Sequence, residues 1–270
     1  MKHLNYNEDI LFFDNIDIVE ITKSIKTPFY LYSENAIVEN INNYMSSASD
    51  RTLFCYSVKA NSNLSLLKII ASHGMGFDIV SKGELHRAIK AGVNTKKIVY
   101  SGVGKTKEEI SYALNNNILC FNVESEEELI AINKQATLMK VIADISIRVN
   151  PDVETKTHPY ISTGMKENKF GIPYDDAFAI FKKAHKLSSL NILGIDFHIG
   201  SQIMSTAPYL ESISSVKKLI NKLKKANINI SHIDVGGGLG VAYKNEEAVS
   251  KPDFIKSITN ALSDLSLIHI

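Results

Sequence analysis

Residues 118–150 read I-L-C-F-N-V-E-S-E-E-E-L-I-A-I-N-K-Q-A-T-L-M-K-V-I-A-D-I-S-I-R-V-N, and this stretch decides the fold class. Two short apolar runs, 118–122 and 144–150, flank an amphipathic segment over 126–134. Short runs of this kind fit buried strands, and the amphipathic segment fits a helix. Ser125-Glu126-Glu127-Glu128 gives that helix a capping-box start, a hydroxyl at the N-cap with a glutamate three residues on. The unit is strand, helix, strand.

The same unit recurs outward in both directions. Further strand candidates are 53–58, 76–80, 98–101, 193–199, 230–235 and 266–270, with helical patterns over 64–71, 84–91, 107–115, 175–186 and 209–225. Thr106-Lys107-Glu108-Glu109 reads as a second capping box, and Gly74 and Gly92 stand where preceding helices should stop. Around eight such repeats favour a parallel sheet wrapped by helices, an α/β protein of the (β/α)8 TIM-barrel type. An open doubly wound sheet fits less well, because no dinucleotide-binding glycine fingerprint opens the first unit. Residues 27–33 read as an additional strand and 36–44 as a helix outside the eightfold count. Residues 1–30 are therefore assigned to an extension and residues 31–270 to the barrel, which ends within its eighth strand. The longest gap without a clear element is 151–173, and a loop of that length in a compact domain is often functional.

Composition narrows the function. The 270 residues are 44% hydrophobic and 22% charged, and 30 basic against 29 acidic residues give a formal charge of +1. No basic stretch interleaved with aromatics is present, so a nucleic-acid partner is not expected. The two cysteines, Cys55 and Cys120, lack metal-ligand spacing and read as buried reduced thiols, and no metal site is expected. No run approaches the roughly 20 apolar residues that span a bilayer, and the N-terminus has no apolar signal core. The expectation is a cytoplasmic protein with no membrane partner.

In a parallel barrel the strand C-termini face the active site and side chains alternate between lumen and helices. That parity groups Cys55, Ser57 and Lys59, then Asp144, Ser146, Arg148 and Asn150, then Asp196 and His198. A lone strand-end lysine is most often a solvated surface charge; a desolvated one is a nucleophile for carbonyl carbon. The run Asp234-Val235-Gly236-Gly237-Gly238-Leu239-Gly240 follows the seventh strand, where glycine backbone N–H groups converge on an anion or simply make a turn. Gly104-Lys105-Thr106 looks like the tail of a P-loop, but Val99 occupies the position of its first glycine, which rejects nucleotide binding there.

The run Y-S-V-K-A-N (56–61) resembles the cofactor-lysine motif of fold-type III pyridoxal 5'-phosphate (PLP) enzymes. With F-D-I-V-S-K-G-E-L (77–85), Y-S-G-V-G-K-T (100–106), R-V-N-P-D-V (148–153), T-H-P-Y-I-S-T-G (157–164), K-F-G-I (169–172), H-I-G-S-Q-I (198–203) and D-V-G-G-G-L-G (234–240), the chain resembles the diaminopimelate decarboxylases. The resemblance implies a barrel of the alanine racemase/ornithine decarboxylase type, a PLP cofactor, and conversion of meso-2,6-diaminopimelate to L-lysine and CO2. It implies Lys59 as the Schiff-base lysine that later handles the proton at the product carbon, and His198 stacked on the pyridine ring. Ser201, Gly236, Gly237 and Gly238 would bind the phosphate, with Asp78 and Arg148 beside the ring. Glu84 stays open between a place in this site and a helix cap, because Ser81-Lys82-Gly83-Glu84 also fits a capping box. The family continues into a β-domain that completes the partner subunit's site in a homodimer, and residues 1–30 would pair with that domain. The 270 residues carry none of its motifs, so the expectation is a fragment that is inactive alone. Two alternatives remain: a non-catalytic single-barrel PLP-binding protein, and a decarboxylase of another basic amino acid.

Overall fold

The structure is a computed structural model that describes residues 3–151, 170–243, 246–265 and 268–269. Its main sheet follows the chain. Strands β4 (Cys55–Ser57), β5 (Gly76–Ile79), β6 (Ile98–Tyr100), β7 (Cys120–Val123), β8 (Ala143–Asn150), β10 (Leu190–Asp196), β11 (His232–Asp234) and β12 (Ile268–His269) pair in that order. Every pairing among them is parallel. The short β9 (Ile172–Pro173) adds to the end of β8, Val149 opposite Ile172. Parallel neighbours in chain order, each joined through a helix, are the arrangement of a (β/α)8 barrel. All eight expected strands are present.

The wrapping helices are α2 (Glu34–Met45), α3 (Leu64–Ser72), α4 (Lys82–Ala91), α5 (Lys107–Asn115), α6 (Glu126–Met139), α7 (Tyr174–His185), α8 (Ala207–Lys225) and α9 (Lys251–Ala261). Each turns an apolar stripe inward; in α6 the buried positions are Leu129, Ile132 and Ala136. Against them stand the outward-facing strand residues, such as Tyr100 and Phe121, neighbours in register whose rings stack at 5.9 Å. Burying one leucine-sized side chain contributes about 1.5–3 kcal/mol, so this layer between sheet and helices holds the protein together. The sheet curls until its ends approach: α2 packs on α9, and Arg51 Nη1 donates to Leu265 O at 3.4 Å across the seam.

Local signals acted as written in most places. Thr106 and Glu109 form a complete capping box at α5. At α6 only half of the box forms: Ser125 Oγ accepts from Glu128 N–H, while the Glu128 carboxylate reaches past the N-cap to Glu124 N–H. Gly74 and Gly92 lie just past the ends of α3 and α4.

Three features differ from expectation. Residues 27–33 form no strand and run as irregular chain into the N-cap Ser33 of α2. In their place the N-terminus folds as a small antiparallel sheet, β1 (Leu4–Asn7), β2 (Ile10–Phe13) and β3 (Ile16–Asp17), followed by the short α1 (Ile18–Thr22). The first barrel strand ends at Ser57, because Val58–Ala60 closes into a single 3-10 turn. The gap expected at 151–173 carries β9 at its end; the motif 157–164 lies outside the described residues.

Candidate active site

The C-terminal ends of the barrel strands gather a set of polar side chains. The register places Ser57 opposite Asp78, Asn122 opposite Ser146, and Arg148 opposite Asp196, which is itself opposite Asp234. Side-chain alternation turns these residues into the lumen, where Asn122, Ser146, Asp196 and Asp234 are buried. Ser57 Oγ donates to Asp78 Oδ2 at 3.1 Å, and Asn122 Nδ2 donates to Ser101 Oγ at 3.2 Å and Asp234 Oδ2 at 3.1 Å. The layer contains three aspartates and the buried Glu124, with Arg148 as the cation embedded among them.

Arg148 is anchored from two sides: Nη1 donates to Glu124 Oε1 at 2.9 Å, and Nε lies 3.7 Å from Asp196 Oδ2. Burial works against its charge, but Asp196 and Glu124 outweigh it and raise the guanidinium above its ordinary pKa. Burial pushes Asp78, Asp196 and Asp234 upward, and for Asp196 the neighbouring Asp234 carboxylate adds to the shift.

Lys59 sits in the 3-10 turn beyond β4, with its side chain exposed at the mouth rather than buried in the strand. The turn breaks the strand parity at Val58, so this placement comes from the turn and not from continued alternation. His198, half-buried two residues past β10, is held below its ordinary pKa at about 4 by burial, then by the nearby Arg148 and Lys59 charges. It is neutral at physiological pH. Its Nδ1 accepts from Gly237 N–H at 3.3 Å, which fixes the proton on Nε2. The Lys59 charge also reaches Asp78 and Glu84, so Lys59, Asp78, Arg148 and His198 lie within electrostatic reach of one another at the strand C-termini.

The glycine run lies against residues 197–203. Phe197 N–H donates to Asp234 O and Ile203 N–H donates to Gly238 O, at 3.0 and 2.9 Å. A Cβ on Gly238 would fall 1.9 Å from Gly200 O, with φ at +99°, so this crossing requires glycine. The expected convergence of all three N–H groups on an anion is modified: Gly236 N–H donates to Asp234 Oδ1 and Gly237 N–H to His198. Gly238 N–H has no partner among the described residues. The exposed Ser201 lies across from it. Glu84 Oε2 accepts from Val80 N–H at 2.8 Å, and Ser81 Oγ accepts from Glu84 N–H, so Glu84 secures the start of α4.

These residues fit PLP. An exposed primary amine stands beside a flat neutral imidazole, a buried carboxylate layer lies below, and an uncommitted glycine N–H and a serine hydroxyl lie on one side. Among the described residues no group of three or more His, Cys, Asp or Glu is arranged to hold a metal, and no helix is long and apolar enough to cross a membrane. Cys120 is buried and Cys55 half-buried, and both are free thiols.

Glu124, Asn122 and Asp234 were not singled out as site residues in the sequence. The signal for two of them was parity, since Cys120, Asn122 and Glu124 fall on one face of β7 and its extension, but the acidic run 124–128 reads first as a helix start. Asp234 was quoted only as the lead-in to the glycines.

This chain belongs to the family described as pyridoxal-dependent decarboxylase, pyridoxal binding domain, which matches residues 34–268. PLP is the cofactor of that family. Within it, the chain is 45% identical to a diaminopimelate decarboxylase of Vibrio cholerae and 43% identical to one of Pseudomonas aeruginosa, each over 99% of this chain. It covers 66% and 65% of those two proteins, so it spans about two thirds of the length of the relatives it matches. Among solved structures it is similar to a diaminopimelate decarboxylase from Helicobacter pylori complexed with L-lysine. The TM-score is 0.89 at 45% identity, covering 94% of this chain and 64% of that one.

Proposed function

We propose that this chain supplies the cofactor-binding barrel of a PLP-dependent carboxy-lyase that converts meso-2,6-diaminopimelate to L-lysine and CO2. The observation that carries the reading is the clustering of Lys59, His198, Asp78 and Arg148 at the strand C-termini, within electrostatic reach of one another, beside the crossing of Gly238 over Gly200. The substrate is taken from the relatives named diaminopimelate decarboxylase.

When bound, PLP supplies an electron sink for the bonding electrons left as CO2 departs. The protein's own residues do the rest. Lys59 would hold the cofactor through its amine, and the same amine would return a proton to the product carbon. His198 offers an uncharged imidazole face to the ring, because burial and two nearby cations keep it unprotonated. Gly238 N–H and the Ser201 hydroxyl would receive the phosphate, and Gly236 and Gly237, whose own N–H groups are held by Asp234 and His198, shape the turn beside it. Asp78 and Arg148 set the charge around the ring, and the Asp196–Arg148–Glu124 contacts keep Arg148 from turning into solvent.

The reading is tested by growth without lysine. Joined to the remaining third of the Vibrio cholerae relative, this chain should rescue a bacterium lacking diaminopimelate decarboxylase, with labelled CO2 released from meso-diaminopimelate, and Lys59→Ala should abolish both. Rescue that survives Lys59→Ala, or CO2 released from a different basic amino acid in place of diaminopimelate, would overturn it.

A further inference from the structure

We propose that Lys105 is a positioning residue, holding Arg148 in the barrel lumen through Glu128 and Glu124. Of the Y-S-G-V-G-K-T segment only Ser101 has entered the site described above, and its lysine was notable only as a false P-loop. In the structure the Lys105 side chain is 1% exposed. Its ammonium donates to Gly102 O at 2.7 Å, Asn122 O at 2.9 Å and Glu128 Oε1 at 2.6 Å. Three donors meet three acceptors, so nothing of Lys105 is left for a phosphate or a substrate.

The contacts beyond Lys105 give it a task. Glu128 Oε2 accepts from Glu124 N–H at 2.9 Å, and Glu124 Oε1 accepts both Gly102 N–H at 2.8 Å and Arg148 Nη1 at 2.9 Å. The result is a closed ring of Lys105, Glu128, Glu124 and Gly102, with outward bonds from Arg148 to Glu124 and from Lys105 to the Asn122 carbonyl. It ties together the loop after β6, the end of β7 and the first turn of α6. Asn122, whose carbonyl Lys105 holds, donates from its side chain to Asp234, so the same lysine steadies the other side of the carboxylate layer. Without the ammonium, the Gly102 and Asn122 carbonyls lose a donor and Glu128 loses its counter-charge. Glu124 then loses both of its fixed supports, and its carboxylate no longer has one position for Arg148. Outer contacts of this kind orient the group that touches the site, and losing one of them loosens it.

The test has two readouts. The first is solvent exchange of the Arg148 Nε–H, assigned by its loss in Arg148→Lys, which is independent of the cofactor. The second is PLP affinity, whose dependence on Lys105 rests on the cofactor reading given above. Lys105→Met should speed Arg148 Nε–H exchange and weaken PLP by about tenfold, the lower end for loss of an outer-shell partner. Glu124→Gln should do the same, and the double variant should be no worse than either single, because both act through one chain of contacts. Lys105→Met/Glu128→Gln removes both buried charges at once and keeps the barrel folded, and it should still free Arg148. Lys105→Met that lowers only the melting temperature, with Arg148 exchange and PLP affinity within twofold of the parent, would overturn the proposal. So would effects that simply add in the double variant. A parent chain that fails to take up PLP would sink the cofactor reading instead, and Arg148 exchange would still decide the role of Lys105.

Discussion

Replacing Gly238 by alanine should destabilise the chain by about 2–4 kcal/mol, a cost that follows from one crossing of the backbone. A Cβ built on Gly238 falls 1.9 Å from Gly200 O, whereas real Cβ contacts stay above 3.0 Å. The two loops must therefore part by 1.1 Å, the difference between those distances. The hydrogen bond from Ile203 N–H to Gly238 O, now 2.9 Å, would be carried past the roughly 3.2 Å limit of a good bond. Its loss costs about 1 kcal/mol, and holding alanine at a φ of +99° costs about 1–3 kcal/mol more. Gly237→Ala is the control. No atom lies within 4 Å of its Cβ, and its φ is not in the left-handed region, so its cost should stay within about 0.5 kcal/mol. Urea unfolding followed by far-ultraviolet circular dichroism measures both, provided the slopes agree. Equal losses for the two variants, or a Gly238→Ala loss under about 0.5 kcal/mol, would refute the reasoning.

Two further outcomes follow. His3 donates to Asp14 Oδ1 (2.6 Å) and Glu39 Oε2 (3.0 Å), and these hydrogen bonds, Asp14 first, raise its pKa above 6.5. Because the folded pKa is the higher one, the added docking of the β1–β2 hairpin on α2 is complete below 6.5 and fades as pH rises through the raised value. Amide exchange in residues 4–13 should therefore quicken relative to the barrel as pH rises through that window, after correction for intrinsic exchange, and His3→Gln should remove the pH dependence; a dependence that persists in His3→Gln refutes it. Thr106→Ala breaks the capping box of α5 and should cost about 1 kcal/mol in the same urea assay, with an unchanged midpoint as the contrary result.

The barrel was legible because its strands are short apolar runs set between capped helices, and each such signal is local. What escaped was either faintly patterned or non-local. The helix Lys251–Ala261 buries Phe254, Ile255 and Ile258, a readable period, but it follows the glycine run and lacks a strong start beyond Ser250 and Pro252. The N-terminal hairpin turns through Glu8, Asp14 and Asn15 at positive φ, where an aspartate or asparagine hints at a turn but the strands between are only four residues or fewer. Lys59, His198 and the glycines stood out as motifs. The Glu124–Arg148 bond did not, since it joins residues 24 apart whose meeting depends on the β7–β8 register. Lys105 was read only as the tail of a rejected P-loop, and only the fold shows that its ammonium points inward.

The central claim is that Lys59 is the cofactor lysine, and chemical trapping tests it most directly. The chain is incubated with PLP, reduced with borohydride, digested and mapped by mass spectrometry. The account predicts one dominant label, on Lys59, that disappears in Lys59→Arg while the fold is retained. Label spread over the exposed lysines, label concentrated on another lysine, or none on a folded chain would contradict it.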